Sequence, residues 1–407
     1  MGGGEETLLN TEALHSPLMA GLAKRVREED VSYRTRMLEI AATLNDVIAM
    51  GRGDPDFRTP AHIVEAAKQA IDADQTHYTH PAGMPKLREA IAETLRSDNA
   101  LDYTPDEIIV TAGAQEAMML CMLALVEAGD EVLIPSPRFT SYDTAVELCG
   151  GICVPVPTFE RDDFALMPHE IEKRITPRTK IIVLVSPNNP TGAVTPPAAI
   201  RQIAELAQRH HLIVLSDEIY ARIIFEGSQH LSIGSLPGMK ERTITLNGFS
   251  KSYSMTGWRV GYLAAPQAFV RMLIEPRHTL SINASTPSQW AALAALTGPQ
   301  DDVIRMLEAY RDRRAYMMQA LDEVGFTYGH PGGAFYIYVN VEKSGLPAPV
   351  FCERLLREAR VLLFPGTLFG DTDDRYVRMS LLQPVERMRE AMERIMAVKE
   401  RLFLAAR

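Results

Sequence analysis

TITLNGFSKSYSMTGWRVGYLAA (243–265) places an apolar run, TITL at 243–246, before a loop that carries Lys251, and a second apolar run, VGYLA at 260–264, after it. Short Val/Ile/Leu-rich runs bounded by Gly and polar residues read as strands. Lys251 then sits at a strand end, between small and aromatic residues. Desolvation there lowers an amine's pKa and makes the neutral form a usable nucleophile. Arg259 follows eight residues later and can reach back to an anion near that lysine. A solvated surface charge is the ordinary fate of a single lysine, so the case depends on what surrounds it.

Working outward, apolar runs of the same kind occur at 108–111, 131–135, 152–156, 181–185 and 212–216. Several are apolar throughout, without alternation. Such strands are covered on both faces, as in a mainly parallel sheet wrapped by helices. Helical patterns at 114–128 and 197–210 fall between them. The run Ala117–Val126 is too short to span a bilayer and reads as a buried helix. The last third changes character: a long helical pattern at 287–324, a strand PGGAFYIYV at 331–339, a helix at 348–359, a strand at 375–381 and a terminal helix. The expectation is an α/β chain, with a large domain over 55–290 carrying seven mainly parallel strands. A smaller α+β domain is formed by residues 1–54 and 291–407. The first 35 residues read as an arm and a helix bearing Lys24, Arg25, Arg27, Glu28 and Glu29.

Bulk numbers narrow the function classes. With 42 Lys plus Arg against 52 Asp plus Glu, the net charge is −10. That gives no general attraction to nucleic acid or anionic membranes. Cys121, Cys149, Cys153 and Cys352 form no CxxC pair and no zinc pattern, so no metal site is expected. They read as reduced thiols, and with a glycine-rich acidic N-terminus unlike a signal peptide the expected compartment is cytoplasmic.

In an open α/β sheet, ligands sit beyond the carboxyl ends of the strands. Three more strand ends carry suitable residues. TAGAQ (111–115) is a glycine turn into a helix, able to present backbone N–H groups to an anion, although a plain tight turn reads the same way. SPNNPTG (186–192) describes a rigid loop presenting an amide. In SDEIY (216–220), Asp217 follows an apolar strand directly and needs a cationic or hydrogen-bonding partner.

Together with GRGDPDF (51–57), HYTHPAGMPKLREAI (77–91), PSPRFTSY (135–142), GGAFY (332–336) and RYVRMS (375–380), these stretches make the chain resemble the class I/II aminotransferases, pyridoxal-phosphate enzymes of fold type I. The likeness spans residues 51–380 in the family's order. It implies that Lys251 holds pyridoxal 5′-phosphate as a Schiff base and later moves a proton at the substrate α-carbon. It implies Asp217 against the pyridine nitrogen, Asn189 and Tyr220 near the phenolic oxygen, and Phe139 stacked on the ring. The phosphate would lie on Gly113 and Ala114, near Gln115 and Ser250, with Arg259 as its cation. The chain departs from many relatives at Gly248, where they have a serine. Tyr78 would reach the phosphate from a partner subunit, which implies a homodimer with shared sites. Arg378 and Gly53 would take the substrate α-carboxylate.

The implied activity is ping-pong transfer of an amino group from an L-amino acid to a 2-oxo acid. A lyase of the same fold, acting by C–S cleavage or β-elimination, and a non-catalytic cofactor-binding regulator are the alternatives. The amino donor is open. Arg52, Arg58 and Arg138 are candidate second cations for a dicarboxylate. Phe335, Tyr336 and the segment Ser281–Pro287 are candidates for an apolar side-chain pocket.

Overall fold

The structure is a computed structural model and describes residues 17–23 and 33–404. The helix expected around Lys24–Glu29 lies outside the described residues. Seven strands form the main sheet: β1 (Ile108–Thr111), β2 (Glu131–Ser136), β3 (Ile152–Pro157), β4 (Thr179–Val185), β5 (Ile213–Asp217), β6 (Thr243–Gly248) and β7 (Gly261–Ala264). Their spatial order is β1-β7-β6-β5-β4-β2-β3. Only β7 runs antiparallel to its neighbours. The expected mainly parallel sheet of seven strands is thus what the chain builds.

β4 shows why such runs are apolar throughout. Ile181, Val183 and Val185 enter one apolar cluster with Leu120 and Val132, while Ile182 and Leu184 enter another with Ile200 and Ile203. Successive residues point to opposite faces, and both faces are roofed. Each such side chain removed from water contributes roughly 1.5–3 kcal/mol. One roof is helix Ala114–Leu125, which buries Ala117, Met118, Leu120, Cys121 and Met122. The other includes Pro197–Arg209, whose buried Ile200, Ile203, Ala204 and Ala207 fall at helical spacing behind a Pro at its start. No described helix is long and apolar enough to cross a membrane.

A second sheet is antiparallel, in the order β10-β11-β9-β8, formed by β8 (Thr327–Tyr328), β9 (Tyr336–Asn340), β10 (Phe364–Pro365) and β11 (Tyr376–Ser380). Its core gathers helices Asp301–Val324, Ala348–Ala359 and Val385–Leu404. Ile48–Ala49 crosses to this side and pairs in parallel with Val361–Leu362.

Two expectations are corrected. The pattern at 287–324 is two helices, Thr286–Thr297 and Asp301–Val324, separated by Gly298, Pro299 and Gln300. The proline ring excludes the helical conformation at the preceding residue and provides no N–H. The strand expected from 331 begins at Tyr336, because Gly333 makes an isolated antiparallel bridge with Ile224 and the chain turns at Ala334–Phe335. There Gly333 N–H donates to the Gly192 carbonyl (2.9 Å) and Ala334 N–H to the Ile223 carbonyl (2.9 Å).

Candidate active site

The carboxyl ends of β1, β2, β4, β5 and β6 open on one side of the sheet, and β11 approaches from the second sheet. Between them lies a cavity of about 580 Å³. Lys251, Asp217, Tyr220, Asn189, Phe139, Ala114, Gln115, Ser250, Arg259, Gly53 and Arg378 all line it.

Its floor is charged and buried. Asp217 closes β5, and its two oxygens accept bonds from the Tyr142 hydroxyl (2.7 Å) and the Ile219 N–H (3.1 Å). Burial pushes this carboxyl up, against the pull of those two donors. The Lys251 amine donates to the Gly53 carbonyl at 2.6 Å. Burial brings it down from 10.5 to about 8, with Arg378 and Arg259 acting in the same direction and Asp54 and Asp217 opposing. Its neutral form is therefore accessible near neutral pH.

Gly113 caps helix Ala114–Leu125 with φ +81°. That φ favours glycine, and a Cβ there would stand 2.6 Å from the Arg259 Nη2 and push the guanidinium off the helix start. The first turn of a helix offers N–H groups without intrahelical partners, and its dipole favours an anion. Gly248 also has a packing reason. It pairs with Gly261 across β6 and β7, and an added Cβ would lie 3.0 Å from the Gly261 Cα. A serine does not fit there without moving that backbone.

Arg378 is buried at the opposite wall. Its Nη1 donates to Asn189 Oδ1 at 2.8 Å and its Nη2 to the Gly51 carbonyl. The guanidinium lies over the rings of Tyr336 (4.6 Å) and Phe369 (4.3 Å). Its Nε is buried without a partner, a donor left for an incoming acceptor. The two asparagines of SPNNPTG divide the work. Asn188 ties the loop to itself, its N–H donating to the Ala193 carbonyl, while Asn189 faces Arg378. Tyr220 is buried, its hydroxyl 3.1 Å from that of Tyr336.

Other expected residues stand elsewhere. Tyr78 is 78% exposed and does not reach the cavity of its own chain. Arg138 is no free cation: its Nε bonds both Asp143 oxygens at 3.1 and 2.8 Å. Arg58 lines a separate groove with Asp302 and Arg305. Phe335 is fully buried behind Tyr220, and Ser281–Pro287 does not line the cavity. The sequence reading missed Tyr142, Phe369 and Arg34, which also line it. Tyr142 closes the PSPRFTSY stretch, where a strand end turning into a helix was the available signal. Arg34, from helix Tyr33–Ala42, had none.

An α/β enzyme that sets a deprotonatable lysine beside a buried carboxylate, with an anion cradle on one side and a guanidinium on the other, is built for amine chemistry on anionic substrates. Comparison with known proteins names the family. The sequence pattern of class I and II aminotransferases matches residues 45–395. The aspartate aminotransferase of Pyrococcus abyssi is 42% identical over 366 residues, covering 88% of this chain and 93% of the relative. The aromatic-amino-acid aminotransferase 2 of Thermococcus litoralis is 39% identical, covering 92% and 97%. Among solved structures, the Thermus thermophilus aspartate aminotransferase with maleate superposes with a TM-score of 0.88 at 38% identity, covering 93% of this chain and 99% of that one. The chain belongs to the class I and II aminotransferases, and it is a transaminase.

Proposed function

We propose that this enzyme transfers the amino group of an L-amino acid to a 2-oxo acid with pyridoxal 5′-phosphate held on Lys251, working as a homodimer in the cytoplasm. The observation that carries this is the convergence of Lys251, Asp217 and Arg378 on one cavity. The donor set fits the cofactor: a glycine-capped helix start under Arg259 for a phosphate, a buried carboxylate for a ring nitrogen, and an amine for an aldehyde. When bound, the cofactor supplies that aldehyde and a ring that takes up electrons from the substrate α-carbon.

The residues then divide the work. The neutral Lys251 amine is the nucleophile, and once released it carries the proton to and from the α-carbon. Asp217, held by Tyr142 and the Ile219 amide, would keep a proton on the ring nitrogen. Tyr220 and Asn189 would hydrogen-bond the ring oxygen, Phe139 would provide the aromatic face for the ring, and Ser250 and Gln115 would serve the phosphate. The Arg378 fork takes the α-carboxylate, for which a planar guanidinium is the matching shape, and Gly53 adds a backbone contact. Exposed Tyr78 supports a site completed by a second copy of the chain. The four cysteines are free, which supports a reducing compartment.

Lys251→Ala tests the reading. After borohydride reduction and denaturation the wild type should keep the cofactor covalently on the protein and Lys251→Ala should not, and turnover should fall by roughly 10⁴-fold. Turnover at the wild-type rate would sink the assignment.

A further inference from the structure

Arg313 has no role in the chemistry above, yet its guanidinium is buried, with the side chain only 7% exposed. It projects from helix Asp301–Val324 and grips Asp56 with both terminal nitrogens, Nη1 donating to Oδ1 at 2.7 Å and Nη2 to Oδ2 at 2.8 Å. Nη1 also donates to the Leu381 carbonyl at 3.0 Å. The rings of Phe57 (4.8 Å) and Tyr310 (5.6 Å) flank it. Arg314, next along the helix, donates to the Pro331 carbonyl (2.8 Å) and takes no part in this fork.

Asp56 stands three residues after Gly53, whose carbonyl receives Lys251, and Pro55 between them fixes one backbone torsion. Leu381 follows β11 directly, three residues after Arg378. Ser380, between those two, donates its N–H to the carbonyl of Met50 (2.6 Å), the residue before Gly51. One guanidinium therefore fastens the peptide beneath the nucleophile to the strand that carries the proposed carboxylate anchor. Apolar side chains of similar size can replace a buried ion pair at little cost in stability, so stability alone does not account for the pair. What an apolar pair lacks is the fixed geometry of a planar fork on a carboxylate. We propose that Arg313 is a positioning residue for amino transfer, holding the Gly53 carbonyl and Arg378 in working register through Asp56 and Leu381. This rests on the transamination reading.

The test compares wild type, Asp56→Asn, Arg313→Met, Arg313→Lys and the double variant Asp56→Asn/Arg313→Met. Three quantities are measured: the melting temperature, kcat and KM per bound cofactor, and the rate at which the apoenzyme captures pyridoxal phosphate, which reads Lys251 without turnover. Asp56→Asn strands a buried charge and should lower the melting temperature, whereas the double variant removes that charge and should recover it. In both, kcat and the capture rate should stay roughly tenfold low and KM for the amino donor should rise, on the scale of one charge-assisted hydrogen bond. Arg313→Lys should regain part of the rate. A double variant whose kcat and capture rate recover along with its melting temperature, or single variants that melt lower yet turn over and capture the cofactor as the wild type does, would overturn the proposal. A wild-type holoenzyme that transfers no amino group from any donor would defeat the transamination reading instead, and the capture rates would still judge Arg313.

Discussion

Asp217, at the cavity floor, has both carboxylate oxygens engaged by groups of its own chain, whereas Arg34 and Arg52, at the mouth, form no ion pair with a carboxylate among the described residues. Burial accounts for the difference. A charge removed from water must find its partners in the fold, so the floor carries its own complement. A charge at the rim is solvated and can wait for a ligand. The floor is therefore complete within its own chain, whereas the mouth keeps charge that solvent or a ligand must meet.

The sharpest way to break the comparison is at Asp217. Asp217→Asn keeps the shape and loses the charge, so the cofactor should stay bound while turnover falls by roughly 10²-fold or more. The drop should be equal for aspartate and leucine. An unequal drop would mean that the floor also selects substrate.

A smaller effect follows from Lys251. Its amine is lowered from 10.5 to about 8, so the neutral form dominates above that pH and the cation below it. Capture of pyridoxal phosphate by the apoenzyme, followed by growth of visible absorption, should slow about tenfold per pH unit as pH falls below 8 and level off above it. A flat rate between pH 6 and 8 would show that burial does not set this amine's ionisation.

The smallest effect is expected at Tyr142. Tyr142→Phe removes one of two donors to Asp217, and turnover should drop roughly tenfold with little change in KM. Because the tyrosine bond lowers the Asp217 pKa, its loss should shift the pH at which the bound cofactor's spectrum titrates. Tyr142→His, which keeps a donor, should recover part of both. An unmoved spectrum would leave Tyr142 with packing alone.

The floor was legible in the sequence, and of the mouth only Arg52 was. Lys251, Asp217, Asn189 and Gly113 each follow a strand end, and strand ends are marked by apolar runs that stop abruptly. The sheet was legible for the same reason, since β4 and β5 are buried on both faces. Arg34 lies on a helix with little amphipathic signal, and only the packing of that helix brings it to the cavity. Arg138 misled because a motif position says nothing about whether Asp143 already holds the side chain. The helix at 287–324 was read through Pro299 because the apolar spacing resumes beyond it.

The segment around Gly51 and Gly53 joins the two halves. It follows the short pairing of Ile48–Ala49 with Val361–Leu362 on the second-sheet side, and its carbonyls receive Arg378 and Lys251. A displacement of this one peptide stretch moves the acceptors of Arg378 and Lys251 together, so in the proposed roles substrate anchor and nucleophile would lose their alignment as one.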